Sequence, residues 1–379
     1  MSPLGIARGI SFASSGASYK GTDVSADLLF HAQGLDGSNG DVTTSNGYES
    51  NGINVNGTTY NAKFLKYSSA TTFGSGNFDA SGDTIMIVRV EGDTTISSGF
   101  TLTTSGTCNA LCMFIDGNLT VDGSISMYDK GREISSGVST DLTINSSENS
   151  VGGSSTIAIT DAAAASTNGS STASGLTTGG GGQGGSGSYG GSRSGAAGHI
   201  FSGGSGGGGS GGIAYYNHYQ GGGGGGGNAQ ANAGDGGNGG ASGYTHWGYW
   251  TGDAGGSGGT GNPGGSGGAN NSRNGSDSRA GYGGNTGTPA SLIIYASGNL
   301  TVASGGTIST AGRSGRSGDH SRLKAGGGGG SGGAALVAIC GGTFTNNGTV
   351  TTAGGSTGAG RGSGSAAGSG GLLTGGSYS

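Results

Sequence analysis

The stretch AGGSGGTGNPGGSGGAN, residues 254–270, carries a non-glycine residue at every third position: Ala254, Ser257, Thr260, Pro263, Ser266 and Ala269. Only Asn262 is out of phase. Flexibility alone gives a linker no reason to keep a period of three, so the spacing constrains the backbone. Polyproline II geometry has three residues per turn, about 3.1 Å of rise and no internal hydrogen bonds. Its N–H and C=O groups point sideways. A helix bare on all sides lets neighbouring helices approach and bond laterally. One with a side chain at every third residue belongs at the edge of such a bundle. Both kinds occur here. Gly221–Gly227 is an unbroken glycine run, about 22 Å long if extended. Period three recurs at Gln183, Ser186, Tyr189 and Ser192, at Asp235, Asn238, Ala241 and Tyr244, and at Ala353, Ser356 and Ala359.

Glycine supplies 99 of 379 residues, proline 3, and charged residues only 9%. An average chain has roughly 7% glycine and about a quarter charged residues. Collagen is excluded by the broken phase and the scarcity of proline. Ordering glycine costs more backbone entropy than ordering any other residue. Disorder is therefore the reading to beat, and a folded bundle needs many lateral hydrogen bonds and a scaffold to lean on.

That scaffold is written in four related segments: 85–106 (IMIVRVEGDTTISSGFTLTTSG), 112–131 (CMFIDGNLTVDGSISMYDKG), 292–315 (LIIYASGNLTVASGGTISTAGRSG) and 336–355 (LVAICGGTFTNNGTVTTAGG). Each opens with an apolar run and turns at a glycine (Gly92, Gly117, Gly298 or Gly341). It continues with the period-two alternation of a half-buried strand, turns again and closes on a third short strand. Three strands and two tight turns describe one rung of a β-solenoid, and rungs bury their apolar faces only by stacking. The expected fold is all-β, with solenoid-like stacked rungs, a large inserted polyglycine II bundle and essentially no α-helix. The chain divides into an N-terminal attachment region (1–83), rungs (84–131), a Ser/Thr/Ala-rich transition (132–178), the polyglycine module (179–291), and further rungs with a glycine-rich excursion and tail (292–379).

Large side chains inside the glycine region fall in bursts such as HIF (199–201), IAYYNHYQ (213–220) and YTHWGYW (244–250). A packed glycine bundle has no interior room for them. They belong in loops joining successive helices, and loops between helices of similar length gather at one end. Rigid aromatics among small polar residues are how recognition surfaces are built. The candidate receptor-binding residues are Tyr189, His199, Phe201, Tyr215, Tyr216, His218, Tyr219, Tyr244, His246, Trp247, Tyr249, Trp250 and Tyr282. Capping of the bundle end or of the rung core is the structural alternative for these rings.

Other classes lack their signatures. A net charge of −5 with 15 Lys and Arg gives no nucleic-acid footprint. No apolar run approaches the ~18 residues of a membrane span. The opening MSPLGIARGISFASSG has no signal-peptide core, so a product made without Sec export is expected. Gly-x-Gly-x-x-Gly matches are inevitable at this glycine density, and none opens a helix after a strand with an acidic residue downstream. Acidic residues are scattered rather than paired, so no catalytic residue, cofactor or metal is expected and the chain reads as a non-enzyme. Cys108 and Cys112 could form a disulfide, which sequence does not decide; Cys112 and Cys340 sit in apolar runs and read as buried thiols. Asn118-Leu119-Thr120 and Asn299-Leu300-Thr301 read as turn chemistry rather than glycan acceptors.

The alternation of GGGGQGGSGSYGGSR, GGSGGGGSGG and GGGGGGGNAQ with IAYYNHYQ and YTHWGYW, over roughly residues 179–291, resembles the polyglycine-sandwich tail-fibre tip adhesins of T-even-like bacteriophages. In that family the segments between glycine motifs form distal loops that bind an outer-membrane receptor. GNLTVDGSISM (117–127) resembles rungs of phage appendage proteins. The resemblance implies a virion tail-fibre protein whose partners are a bacterial surface protein or glycan and, through residues 1–83, other fibre proteins. A homo-oligomer is compatible with it, and nucleic acid is not an expected partner. Rival expectations are a structural glycine-rich fibre protein and an ice-binding protein, the latter using a flat face of small residues such as Ala254, Ser257, Thr260 and Ala269.

Overall fold

The computed structural model describes residues 23–24, 49–55, 58–80, 84–131, 142–145, 156–160, 164–172, 175–184, 194–199, 201–207, 287–315, 328–359 and 364–376. The fold is all-β, and the described residues contain no helix. Its four repeats each contribute one strand to each of three sheets. The first repeat forms β5 (Thr84–Val90), β6 (Thr94–Ile96) and β7 (Thr101–Leu102). The second forms β8 (Ala110–Ile115), β9 (Leu119–Val121) and β10 (Ser124–Ser126). The third forms β15 (Ser291–Ala296), β16 (Leu300–Val302) and β17 (Thr307–Ser309). The fourth forms β18 (Leu336–Cys340), β19 (Phe344–Asn346) and β20 (Thr349–Thr351). Equivalent strands pair in parallel without slippage: Met86 lies beside Leu111, Leu111 beside Leu292, and Leu292 beside Leu336.

The stack begins before residue 84. Strand β3 (Thr58–Tyr67) pairs in parallel with β5, and β4 (Thr71–Phe73) pairs in parallel with β6. An antiparallel strand β2 (Glu49–Val55) closes one edge of the first sheet, and β21 (Leu372–Gly375) extends its other edge beyond β18. Part of the expected attachment region is thus scaffold. The transition region also carries strands. β11 (Leu142–Asn145), β12 (Thr156–Thr160), β13 (Ser171–Thr172) and β14 (Gly175–Thr177) form a separate sheet with β1 (Asp23–Val24) at its edge.

Inside the rungs, Met86, Val88, Leu111, Met113, Ile115, Leu119, Val121, Ile125, Leu292, Ile294, Leu300, Val302, Ile308 and Leu336 form one continuous core. Residues of the opposite phase, among them Ile87, Phe114, Ile293 and Val337, are buried too. The first sheet is covered on both faces, which is why its strands read as unbroken apolar runs. Cys108, Cys112 and Cys340 are free, buried thiols, so the Cys108–Cys112 disulfide does not form. Burial pushes the Cys108 thiol up to about 11 and raises Cys112 well above its ordinary value.

A side-chain ladder fixes the rung spacing at the first turn. Asn118 donates to Asp93 Oδ1 from its backbone N (2.8 Å) and from Nδ2 (3.0 Å). Asn118 Oδ1 accepts from Asn299 N at 2.8 Å, and Asn299 Oδ1 accepts from Thr343 N at 2.8 Å. Both asparagines of the Asn-Leu-Thr triplets are therefore turn residues. The preceding glycine is required: Gly117 sits at φ 155°, where a side-chain carbon would come within 2.8 Å of the Asp93 backbone N.

Candidate recognition end of the glycine bundle

The third and fourth rungs do not close on themselves. After β17 and β20 the chain runs straight out as segments 310–315 and 352–359, and it returns through 328–335 and 364–371 into β18 and β21. These segments, with 178–184 and the pair 194–199 and 201–207, bond to one another through the backbone. Segment 328–335 lies at the centre. Gly329 N and Gly332 N donate to Gly207 O and Gly204 O at 2.8 and 2.7 Å. Ser331 N and Ala334 N donate to Arg313 O and Thr310 O at 2.8 and 3.0 Å. Gly330 O and Gly333 O accept from Gly182 N and Gly179 N, both at 2.8 Å, and Gly333 N donates to Gly368 O at 3.0 Å. Ser331 O and Gly328 O accept from Gly355 N and Gly358 N, again both at 2.8 Å.

Partners repeating at i and i+3, with a different neighbour for each phase, are what a three-residue-per-turn helix without internal bonds produces. The edge rule holds along one segment and fails in two, since Ser331 and Ala334 in the central segment and Ser202 and Ser205 keep the three-residue spacing yet are buried. Along 352–359, Thr352 and Gly355 are buried while Ala353, Ser356 and Ala359 are exposed. The stretch 254–270 lies outside the described residues. The bundle is wider than the expected 179–291 module, because both later glycine-rich stretches join it.

Polar contacts pin the bundle to the stack. The chain leaves the second rung at Gly131 and rejoins at Thr288, where Gly131 N donates to Thr288 O at 2.7 Å. At the same corner Asp129, held at a positive φ of 60°, accepts from Arg313 Nη1 at 3.1 Å. Ser331 Oγ donates to Gly287 O at 2.6 Å and accepts from Arg313 N at 2.8 Å.

At the far end the bonds join Gly182 to Gly330, Gly207 to Gly182, Gly329 to Gly207, Gly315 to Ser356, Gly358 to Gly328, and Ser365 to Gln183. These residues border 185–193, 208–286, 316–327 and 360–363. The described residues that flank 185–193, 316–327 and 360–363 in sequence, and the one that precedes 208, therefore lie at this one end. Tyr189, Tyr215, Tyr216, His218, Tyr219, Tyr244, His246, Trp247, Tyr249, Trp250 and Tyr282 fall within these stretches and lie outside the described residues.

His199 and Phe201 correct the expectation. They form the turn at the opposite end of the bundle, beside the stack. His199 N donates to Ser202 O (2.7 Å), Ser202 N to His199 O (3.0 Å), and Ser291 N, at the start of β15, to Phe201 O (2.8 Å). Thr178 Oγ1 donates to His199 O at 2.8 Å. Phe201 is fully buried and His199 is 6% exposed, their rings 6.0 Å apart. This reversal lies at the inner end of the bundle. Both rings are buried.

A second regular surface escaped the sequence reading. On the outer face of the second sheet, Thr72, Thr95, Thr120, Thr301 and Thr345 stand in unbroken register, one per rung. Thr72 is exposed and the others partly so. Aligning TTF, TTI, LTV, LTV and FTN would have revealed it.

No helix among the described residues is long and apolar enough to cross a membrane. No family model matches the chain, and neither a curated protein nor a solved structure matches it.

Proposed function

We propose that the chain is a receptor-binding adhesin of the phage tail-fibre type, located in the virion, whose glycine bundle presents aromatic segments to a bacterial surface protein or glycan. The observation that carries this reading is the convergence of the bundle's outer ends, where residues 184 and 207 immediately precede in sequence the stretches that hold Tyr189 and the Tyr-, Trp- and His-rich bursts. Lateral bonding makes the platform stiff, so a recognition surface built on it loses little entropy on binding. Strain-selective binding to a panel of bacterial cells, lost when Tyr215, Tyr216, Tyr219, Trp247 and Trp250 become serine in an equally folded protein, is the expected result. Equal binding by both proteins would remove those segments from the site.

One observation favours a second reading. Threonines repeating at the ~4.8 Å strand spacing on a rigid face form a lattice on which water can be ordered, as ice binding requires. Thermal hysteresis that disappears in Thr120→Tyr and Thr301→Tyr would favour this reading over the adhesin; no hysteresis in the wild type would eliminate it.

A further inference from the structure

The corner between the second and third sheets repeats from rung to rung, and its last copy is built differently. Asp122, Ala303 and Asn347 are equivalent there: their backbone N atoms donate to Ile96 O, Val121 O and Val302 O of the preceding rung at 3.0, 3.0 and 2.8 Å. A glycine follows each of them before the third strand: Gly123, Gly306 and Gly348. Gly123 N donates to Ile96 O at 3.0 Å and Gly306 N to Ala303 O at 2.8 Å, and both glycines are buried. The next rung covers them, with Thr307 N donating to Gly123 O at 2.8 Å and Thr349 N to Gly306 O at 2.9 Å. Among the described residues no strand of these two sheets lies beyond β19 and β20. Gly348 is accordingly partly exposed, and its N–H goes to a side chain, Asn346 Oδ1, at 3.1 Å. Asn346 and Asn347 are both exposed.

Asparagine followed by glycine is chemically reactive, because glycine has no side chain to shield its nitrogen. Once Gly348 N gives up its proton it can attack the Asn347 side-chain carbonyl carbon. A bond forms between Gly348 N and Asn347 Cγ, the Cγ–Nδ2 bond breaks, and ammonia leaves a cyclic imide. Water then opens the ring at either carbonyl, giving aspartate or, with the main chain rerouted through the side chain, isoaspartate. Asn168-Gly169 is the same dipeptide with an exposed asparagine, but both reacting groups are clamped. Gly169 N donates to Ser369 O at 2.6 Å, and Asn168 Oδ1 accepts from Ser369 N at 2.9 Å. Reaction there requires one backbone segment to peel from another. The Asn347 amide is bonded to no described residue, and rotation of the exposed Asn346 side chain frees Gly348 N without moving the backbone.

We propose that Asn347 is a deamidation site of the folded protein, and that Asn346 is the positioning residue that sets its rate by holding the attacking nitrogen. The modification places a negative charge on the last rung, in a stretch from Ala325 to Ser379 whose only charged side chain is Arg361. As isoaspartate it also adds a carbon to the main chain of a corner pinned on both sides, by Asn347 N to Val302 O and by Thr349 N to Gly306 O. A longer corner cannot keep both bonds at their present lengths, so the last rung loosens while the buried corners of the second and third rungs keep theirs. None of this depends on what the glycine bundle binds.

Incubation of the intact chain in mildly alkaline buffer, followed by digestion and peptide mass spectrometry, tests this. Asn347 is expected to convert several-fold faster than Asn168 in the same native sample. In urea the two are expected to convert at similar rates, so the native difference reports the fold. Asn346→Ala removes the acceptor of Gly348 N, and the Asn347 rate is expected to rise about fivefold, the equivalent of one ordinary hydrogen bond. Asn346→Asp keeps an acceptor oxygen and is expected to stay near the wild-type rate. Matching thermal melts establish that both variants are folded. Native conversion at Asn347 no faster than at Asn168 overturns the proposal, as does a native ratio no larger than the ratio in urea. An Asn346→Ala rate equal to the wild type's, or an Asn346→Asp rate as high as that of Asn346→Ala, overturns the role given to Asn346.

Discussion

A single methyl group at the centre of the glycine bundle tests whether lateral packing holds it together. Gly332 is buried, and its N–H donates to Gly204 O at 2.7 Å. A side-chain carbon on Gly332 would press into the Gly179 carbonyl, far inside the ~3.5 Å at which carbon contacts become favourable. The obstacle is backbone and has no rotamer to change. Segment 178–184 must move away, weakening its two 2.8 Å bonds from Gly179 N and Gly182 N to Gly333 O and Gly330 O. Two hydrogen bonds at about 1 kcal/mol each and overpacking of about 1–3 kcal/mol oppose a gain of about 0.4–1 kcal/mol from stiffening the unfolded chain. Gly332→Ala is therefore expected to cost about 2–4 kcal/mol, within the roughly 5–15 kcal/mol by which domains are stable. Ala353→Gly, on the exposed phase of the edge segment, is expected to cost only about 0.4–1 kcal/mol. Denaturant titration followed by circular dichroism measures both. If Gly332→Ala proves no worse than Ala353→Gly, the bundle is not held by the close backbone packing described above.

Asn299→Ala removes the acceptor of Thr343 N and should cost about 0.5–1.5 kcal/mol by the same titration, whereas Asn299→Asp keeps an acceptor oxygen and should cost less. Asn118→Asp replaces an amide donor facing Asp93 with a second carboxylate, so its stability deficit at neutral pH should shrink as pH falls below about 4. Cys108 titrates near 9.0 when exposed and near 11 when folded, so its contribution is intact below pH 9 and lost as pH rises towards 11. A melt series across that window should show an alkaline loss to which Cys108 contributes on the order of 2 kcal/mol, so Cys108→Ala should reduce the loss while leaving the share due to Cys112. Ellman's reagent at pH 8 should leave Cys108 and Cys112 unmodified until the protein is denatured, and rapid labelling of the native protein would show that the rung core opens.

The rungs were legible because each repeats the same demand: an apolar run, a glycine turn and an alternating strand. Their stacking partners followed from the need to bury one face. The edge rule could be read from Ala353, Ser356 and Ala359 because period three is a property of the backbone. The start of the stack at β3 was not legible, since NAKFLKY mixes two lysines into a strand and its apolar phase shows only once β5 lies beside it. Nor could the sequence place His199 and Phe201. A three-residue burst between glycine segments looks the same whether its turn lies at the outer or the inner end of the bundle. What decides is the direction of the flanking segments, fixed by hydrogen bonds to Gly179, Gly181 and Ser291.

The outer ends of the bundle are locked to one another by bonds between backbones, and backbones are the same whatever sequence follows. Closing a flexible loop between two such posts costs only about 0.6 kcal/mol more for each doubling of its length. The platform is therefore indifferent to what it carries: an intervening stretch can be lengthened, shortened or exchanged without altering a bond beneath it. Substitutions in those stretches are expected to leave the bonds of the described bundle unchanged, whereas substitutions at its packed glycines, such as Gly332, are not.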